Sequence, residues 1–288
     1  MKRAACLLLV LNIVSWAEAG TTIDIGNRYA YSGNLGWVDW RGDTNSGAVI
    51  GDYVCSGYIY AANVGWISLG SGTPTNGISY QNLSAGDFGV NQDGLGNLSG
   101  FAYGANIGWV NFASTGSPKV DLTTGDFSGY AWSANCGWIC LSTSVAYVQT
   151  DSFSPGQLDS NGLPVAWEMT YFGRTGIDPD ADPDHDGMSN LQEYLAGTNP
   201  NDADDYLRVS SVAVSLTGGS DIDALVWTSH PTRQYRVQEC TNLLSGQWED
   251  VGSLISPDPG TETARTVPFA AASAQRFLRI QVVRPLSP

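Results

Sequence analysis

Positive charge is scarce in this chain. Only 13 Lys and Arg stand against 28 Asp and Glu, a formal charge of −15 at pH 7. Such a field repels phosphate backbones and argues against nucleic acid as a partner. Histidine is rarer still: the two are His185 and His230. No nucleophile-elbow, zinc-protease or phosphate-loop pattern accompanies them. Carboxylates such as Asp39, Asp52, Asp87 and Asp126 sit at turn positions, and no catalytic constellation is legible, so the chain does not read as an enzyme. Long apolar runs are also missing. Leu7 to Trp16 is too short to cross a bilayer. With Lys2 and Arg3 before it and Ala17-Glu18-Ala19 after it, the segment reads as a signal peptide over residues 1–19. Secretion or display at the cell surface is expected, without a membrane span. Four cysteines follow: Cys55, Cys136, Cys140 and Cys240. They permit two disulfides in three pairings, or buried free thiols.

What is abundant is repetition. Tyr29-Ala-Tyr-Ser-Gly-Asn-Leu-Gly-Trp37 recurs without gaps at 58–66, 101–109 and 130–138, the tryptophans lying 29, 43 and 29 residues apart. Two aromatics at alternate positions, then Asn and Gly, then an apolar residue after the Trp read as a β-hairpin. Asn34, Asn63, Asn106 and Asn135 are expected as turn residues, and the paired apolar face as Val/Ile with Trp40, Leu69, Phe112 or Leu141. Stacked copies over 20–150 would form one β-repeat domain. The regular recurrence of Trp37, Trp66, Trp109 and Trp138 predicts core positions. The alternative is an exposed row that stacks on sugar rings, as in a carbohydrate-binding accessory protein. The motif resembles short Gly-Trp repeats in surface and secreted proteins of environmental bacteria.

The acidic residues are not spread evenly. Between Asp159 and Asp205 there are 11 acids and a single base, Arg174, so the segment calls for a counter-ion. Residues 182–193 read Asp-Pro-Asp-His-Asp-Gly-Met-Ser-Asn-Leu-Gln-Glu, the pattern D-x-D-x-D-G-x5-E of a calcium loop. Asp182, Asp184 and Asp186 offer hard oxygens at alternate positions, Gly187 the bend, and Met188 its carbonyl. Asn190 stands at the ninth position, and Glu193 closes the shell. His185 is expected to face solvent. A helix should follow, with Met188, Leu191 and Leu195 on one face, ending at Gly197. A weaker copy places Asp159, Asn161 and Glu168 at ligand positions, and Asp178 and Asp180 continue the acidic spacing toward a possible second metal.

Gly162-Leu-Pro-Val-Ala-Trp-Glu168 followed by Asp182 to Asn201 resembles the calcium-binding stretches of thrombospondin type 3 repeats and dockerin-like modules of exported bacterial proteins. A dockerin carries two complete loops and this chain one. The resemblance covers about 157–205 and implies structural Ca2+ in an EF-hand-like segment, here 151–205. Beyond it, residues 206–288 hold six short strand patterns with Gly218-Gly219 and Pro257-Asp-Pro-Gly260 between them, which suggests a β-sandwich of fibronectin or immunoglobulin type. Arg233, Arg236, Arg276 and Arg279 are expected to pair with the acidic segment or face water. The expected whole is mainly β, with a β-repeat module, a short helical calcium segment and a C-terminal β-sandwich. Its expected function is that of a structural or adhesive calcium-binding protein whose ion stiffens the segment between two β modules. The partner would be an extracellular protein or polysaccharide.

Overall fold

The computed structural model describes residues 20–42, 45–217, 220–268 and 276–287. Residues 1–19, expected as a signal peptide, and Gly218-Gly219 lie outside the described residues. The chain is mainly β, and its contacts divide it between Ile177 and Asp178, with 178–284 forming one unit and the preceding residues plus 285–287 the other.

Each Gly-Trp repeat is one antiparallel hairpin. The strands are β1 (Ile23–Ser32) with β2 (Gly36–Asp39), β3 (Cys55–Ala61) with β4 (Gly65–Ser71), β5 (Leu98–Gly104) with β6 (Gly108–Asn111), and β7 (Tyr130–Ser133) with β8 (Gly137–Cys140). Each strand pairs with the next, and Tyr31 opposite Cys140 joins β8 back to β1. The result is a closed eight-stranded barrel. A barrel of that size has an interior only just wide enough for side chains, and the motif supplies the small ones. Ala30, Ala61, Ala102 and Ala131 point inward with Val38, Ile59, Ile67, Val110 and Ile139, all essentially buried. At the hairpin end Leu35, Ile107 and Cys136 close the interior, with Val64 partly buried beside them. Trp40, Leu69, Phe112 and Leu141 are buried as the repeat pattern predicts, Trp40 meeting Phe127 at 5.1 Å and Phe112 at 6.2 Å between ring centroids.

The tryptophans of the repeat are not in this core. Trp37, Trp66, Trp109 and Trp138 are 47, 44, 46 and 49 % exposed. Each lies directly across from an aromatic of the partner strand: Tyr31, Tyr60, Tyr103 and Trp132 respectively. Opposed residues of an antiparallel pair share a face, so aromatics cover the outside while the aliphatic and small residues fill the inside.

Asn34, Asn63, Asn106 and Asn135 stand in the hairpin turns, as expected. Gly36, Gly65, Gly108 and Gly137 take the positive φ, between 70° and 82°. The asparagines instead reach sideways. The Nδ2 groups of Asn63, Asn106 and Asn135 donate to the carbonyls of Leu35, Val64 and Ile107 at 3.0, 2.9 and 2.9 Å. Asn34 closes the circle onto the Cys136 carbonyl at 3.1 Å. Four equivalent bonds thus tie every hairpin tip to the preceding one. Losing one hydrogen bond of this kind costs about 1 kcal/mol. Asn34→Ala is therefore expected to lower the barrel's melting temperature by about 2–4 °C. Thermal circular dichroism checks this; an unchanged midpoint would mean that the ring contributes nothing.

No disulfide forms among the described cysteines, and Cys55, Cys136 and Cys240 are buried thiols. Desolvation pushes the Cys55 thiol up to about 12.

The helix α1 (Val165–Phe172) belongs to the barrel unit and ends at Gly173 with φ 66°. The helix α2 (Asn190–Ala196) opens the second unit and ends at Gly197 with φ 82°, as the sequence predicts. Its buried face is Asn190, Glu193, Tyr194 and Ala196 rather than Leu191 and Leu195, which are only half-buried. The strands β9 (Val209–Thr217), β10 (Ser220–Thr228) and β13 (Glu262–Pro268) form one antiparallel sheet. A second is made by β11 (Gln234–Cys240), β12 (Glu249–Asp250) and β14 (Phe277–Val283). Leu225, Trp227 and Val267 of the first sheet and Tyr235, Val237 and Ile280 of the second share one core, which also takes in Met188, Ala196 and Leu207.

The arginines of this unit find partners within it. Arg236 pairs with Asp250, Arg276 with Glu239 at 2.6 Å, and Arg279 with the Gln238 side-chain carbonyl while stacking over Trp248. Arg233 donates to the Leu195 and Tyr194 carbonyls at 2.7 and 3.0 Å. A guanidinium there satisfies the open end of α2 and favours its dipole.

Candidate metal centre

The loop before α2 curls because its first carboxylate binds the backbone of its own turn. Asp182 accepts from the His185 and Gly187 N–H groups at 2.8 and 3.0 Å. Asp186 accepts from Met188 N–H at 2.7 Å, and Asp184 more loosely from Asp186 N–H at 3.3 Å. Gly187 has φ 98°, the bend for which glycine was expected. His185 is exposed, again as expected. These local bonds turn the side chains together: one carboxylate oxygen from each of Asp182, Asp184 and Asp186 lies within 4.8 Å of the other two. The three could hold a metal ion.

Glu193 joins them from one turn into α2. It is fully buried, and its carboxyl is pushed up to about 8, first by desolvation and then by the charges of Asp184 and Asp186. The Asp186 carboxyl is raised by desolvation and then by the charges of Asp184, Asp182 and Asp205. Thr198 Oγ1 donates to Glu193 Oε1 at 3.3 Å. The other oxygens are the telling ones. Asp184 Oδ2, Asp186 Oδ2, Asn190 Oδ1 and Glu193 Oε2 are all buried and lack a hydrogen-bond partner. Buried acceptors are normally satisfied, and an unpaired buried carboxylate oxygen is costly. A hard cation satisfies such a set, because every group concerned offers oxygen.

Asn190 enters by a different route than its loop position suggests. Its Nδ2 donates to the Asp178 carbonyl at 2.8 Å and its N–H to Ala181 at 2.9 Å, so it also fastens the chain entering the loop. Met188 instead turns its side chain into the C-terminal core.

The weaker copy is assembled as well, but it is largely closed by its own donors. Asp159 accepts from Asn161 and Gly176 N–H at 2.9 and 3.1 Å. Glu168 Oε1 accepts from Ile177 N–H at 2.8 Å and from Asn161 Nδ2 at 3.3 Å, leaving Oε2 as the one unpartnered oxygen. Asn161 thus puts an amide donor against Glu168. Asp178 and Asp180 are exposed, and Asp178 Oδ1 accepts from Asp180 N–H. They lie outside the acidic cluster. Two participants, Asp205 and Thr198, fall beyond the twelve-residue loop pattern; only the path of the chain after α2 brings them in.

Among the described residues, no helix is long and apolar enough to cross a membrane. Comparison with protein-family models, with curated proteins and with solved structures gives no match for this chain.

Proposed function

We propose that the protein is a calcium-binding structural or adhesive protein of the cell exterior. In this reading Ca2+ is held by Asp182, Asp184, Asp186, the Met188 carbonyl, Asn190 and Glu193. The observation that carries it is the set of buried, partnerless carboxylate oxygens beside the aspartate triad. The loop spacing and its resemblance to thrombospondin type 3 segments add support. Several converging protein oxygens suit calcium better than magnesium, which keeps more of its water. The ion's contribution is structural: it neutralises mutually repelling carboxylates and orders the segment that leads into the C-terminal sheets.

The consequence reaches beyond the loop. Met188 and Ala196 are members of the C-terminal core, and Arg233 binds the end of α2. Ordering the loop therefore stabilises the whole unit 178–284 instead of stiffening only a linker. Calorimetric titration of the processed protein is expected to show one calcium site with Kd on the order of 10⁻⁴ to 10⁻³ M, the range of extracellular modules. Chelation should expose 178–205 to limited proteolysis while the barrel stays resistant. Absence of heat at millimolar calcium, with cleavage unaltered by chelator, would overturn the reading.

A further inference from the structure

We infer that the barrel carries four equivalent binding platforms, centred on Trp37, Trp66, Trp109 and Trp138, for uncharged polysaccharides of equatorially substituted pyranoses. This site is separate from the acidic centre and does not require calcium.

The first support is preorganisation. Trp37 is held by the edges of Tyr31 and Tyr29 at 5.0 and 6.3 Å between ring centroids. Trp66 is held by Tyr60 and Tyr58 at 4.9 and 6.4 Å, and Trp109 by Tyr103 and Phe101 at 4.8 and 6.0 Å. Trp138 has Tyr130 at 6.1 Å and Trp132 opposite it. Each indole is fixed by tilted or edge-on neighbours, yet close to half of it is open. A ring already fixed loses little entropy on binding. Since the aliphatic face fills the barrel, these outward rings have no core to pack, and exposed apolar patches of this kind mark interaction surfaces.

The second support is charge. Within residues 29–39, 58–68, 101–111 and 130–140 the one charged side chain is Asp39, which is paired with Arg28 at 3.1 Å. The platforms therefore suit an uncharged partner. The net charge of −15 opposes both a second copy of the chain and an anionic surface. Spanning a bilayer through the barrel is excluded by length: β2, β6, β7 and β8 have four residues each, whereas a membrane strand needs about 9–11.

The third support is shape. The outside of a barrel is convex and encloses no small molecule, so a ligand must meet flat faces and gain strength by repetition. Pyranoses with equatorial hydroxyls present axial C–H groups on both faces. These match the negative face of an indole, while the rim hydroxyls meet the phenols of Tyr31, Tyr60 or Tyr103 and water.

The test uses the processed full-length protein with cellohexaose and chitohexaose, each measured with calcium and with chelator. Saturable change in Trp fluorescence is expected for at least one sugar in both conditions. The same sugar should protect Trp37, Trp66, Trp109 and Trp138 from N-bromosuccinimide, read by mass spectrometry on the wild-type protein. Single Trp→Ala variants should weaken binding modestly, and the fourfold variant by roughly tenfold or more as repetition is lost. The inference fails if neither sugar binds, if binding survives the fourfold change, or if the platforms instead drive self-association or uptake into phosphatidylcholine vesicles. Should the fourfold variant misfold, the wild-type protection pattern decides. Sugar binding that persists under chelation keeps this outcome independent of the calcium reading.

Discussion

Glu193→Gln is expected to abolish the calcium-dependent rise in melting temperature of unit 178–284. In the wild-type protein, ligand at about 100-fold excess over Kd contributes about 2.7 kcal/mol to the folded state. Glu193 is fully buried, faces the charges of Asp184 and Asp186, and carries one of the partnerless oxygens. An amide of the same shape keeps the packing but removes the charge that closes the shell. Without calcium the sign reverses. A carboxyl held at about 8 in the folded state, against an ordinary value near 4.3, contributes stability that is lost as pH rises from the ordinary value through the folded one. At pH 7 wild-type Glu193 therefore costs the metal-free protein on the order of 1–3 kcal/mol. The Gln variant escapes this cost, so it should melt higher than wild type in chelator and lower in calcium. Differential scanning calorimetry at pH 7 in both buffers reads the crossing. Parallel curves, with the variant displaced equally in both, would show that Glu193 does not sense the ion.

Trp40→Ala is expected to destabilise the barrel by about 3–5 kcal/mol, the range for deleting a buried aromatic. Trp37→Ala should cost about 1 kcal/mol or less. Both residues lie in the same repeat, three positions apart. Trp40 is 1 % exposed and packs on Phe112 and Phe127, whereas Trp37 is 47 % exposed and, among the described aromatics, meets Tyr29 and Tyr31. Trp40 Nε1 has no hydrogen-bond partner, so the loss is one of packing and area rather than of a polar contact. Chemical denaturation followed by circular dichroism separates the two. Equal losses would mean that Trp37 belongs to the core after all.

The hairpins, their glycines, the acidic loop, the end of α2 and all six C-terminal strands are legible in the sequence because each is a local matter. A positive φ at Gly36 or Gly197, or acids at alternate positions before Gly187, depends on residues close in the chain. The role of Asn34 was not legible, since its partner carbonyl at Cys136 lies 102 residues away. Asp205 and Thr198 were missed because they lie beyond the twelve-residue loop pattern, where only the turn of the chain after α2 brings them to Asp186 and Glu193. Of the arginines expected to pair with the acidic segment or face water, Arg233 reaches the segment's Tyr194 and Leu195 carbonyls and Arg236 is exposed. The Gln238 and Glu239 partners of Arg279 and Arg276 were not legible, because charge alone does not show which group a fold brings near.

By itself, then, the sequence determined the repeat, the hairpin and the oxygen-rich loop. Tertiary structure alone decided which face of each hairpin is inside. Both faces are apolar, one aromatic and one of small and aliphatic residues, and alternation cannot rank them. Closing eight short strands into a ring does: the interior is too narrow for two indoles opposed across a hairpin, so Ala, Val and Ile turn inward and the tryptophans are left outside.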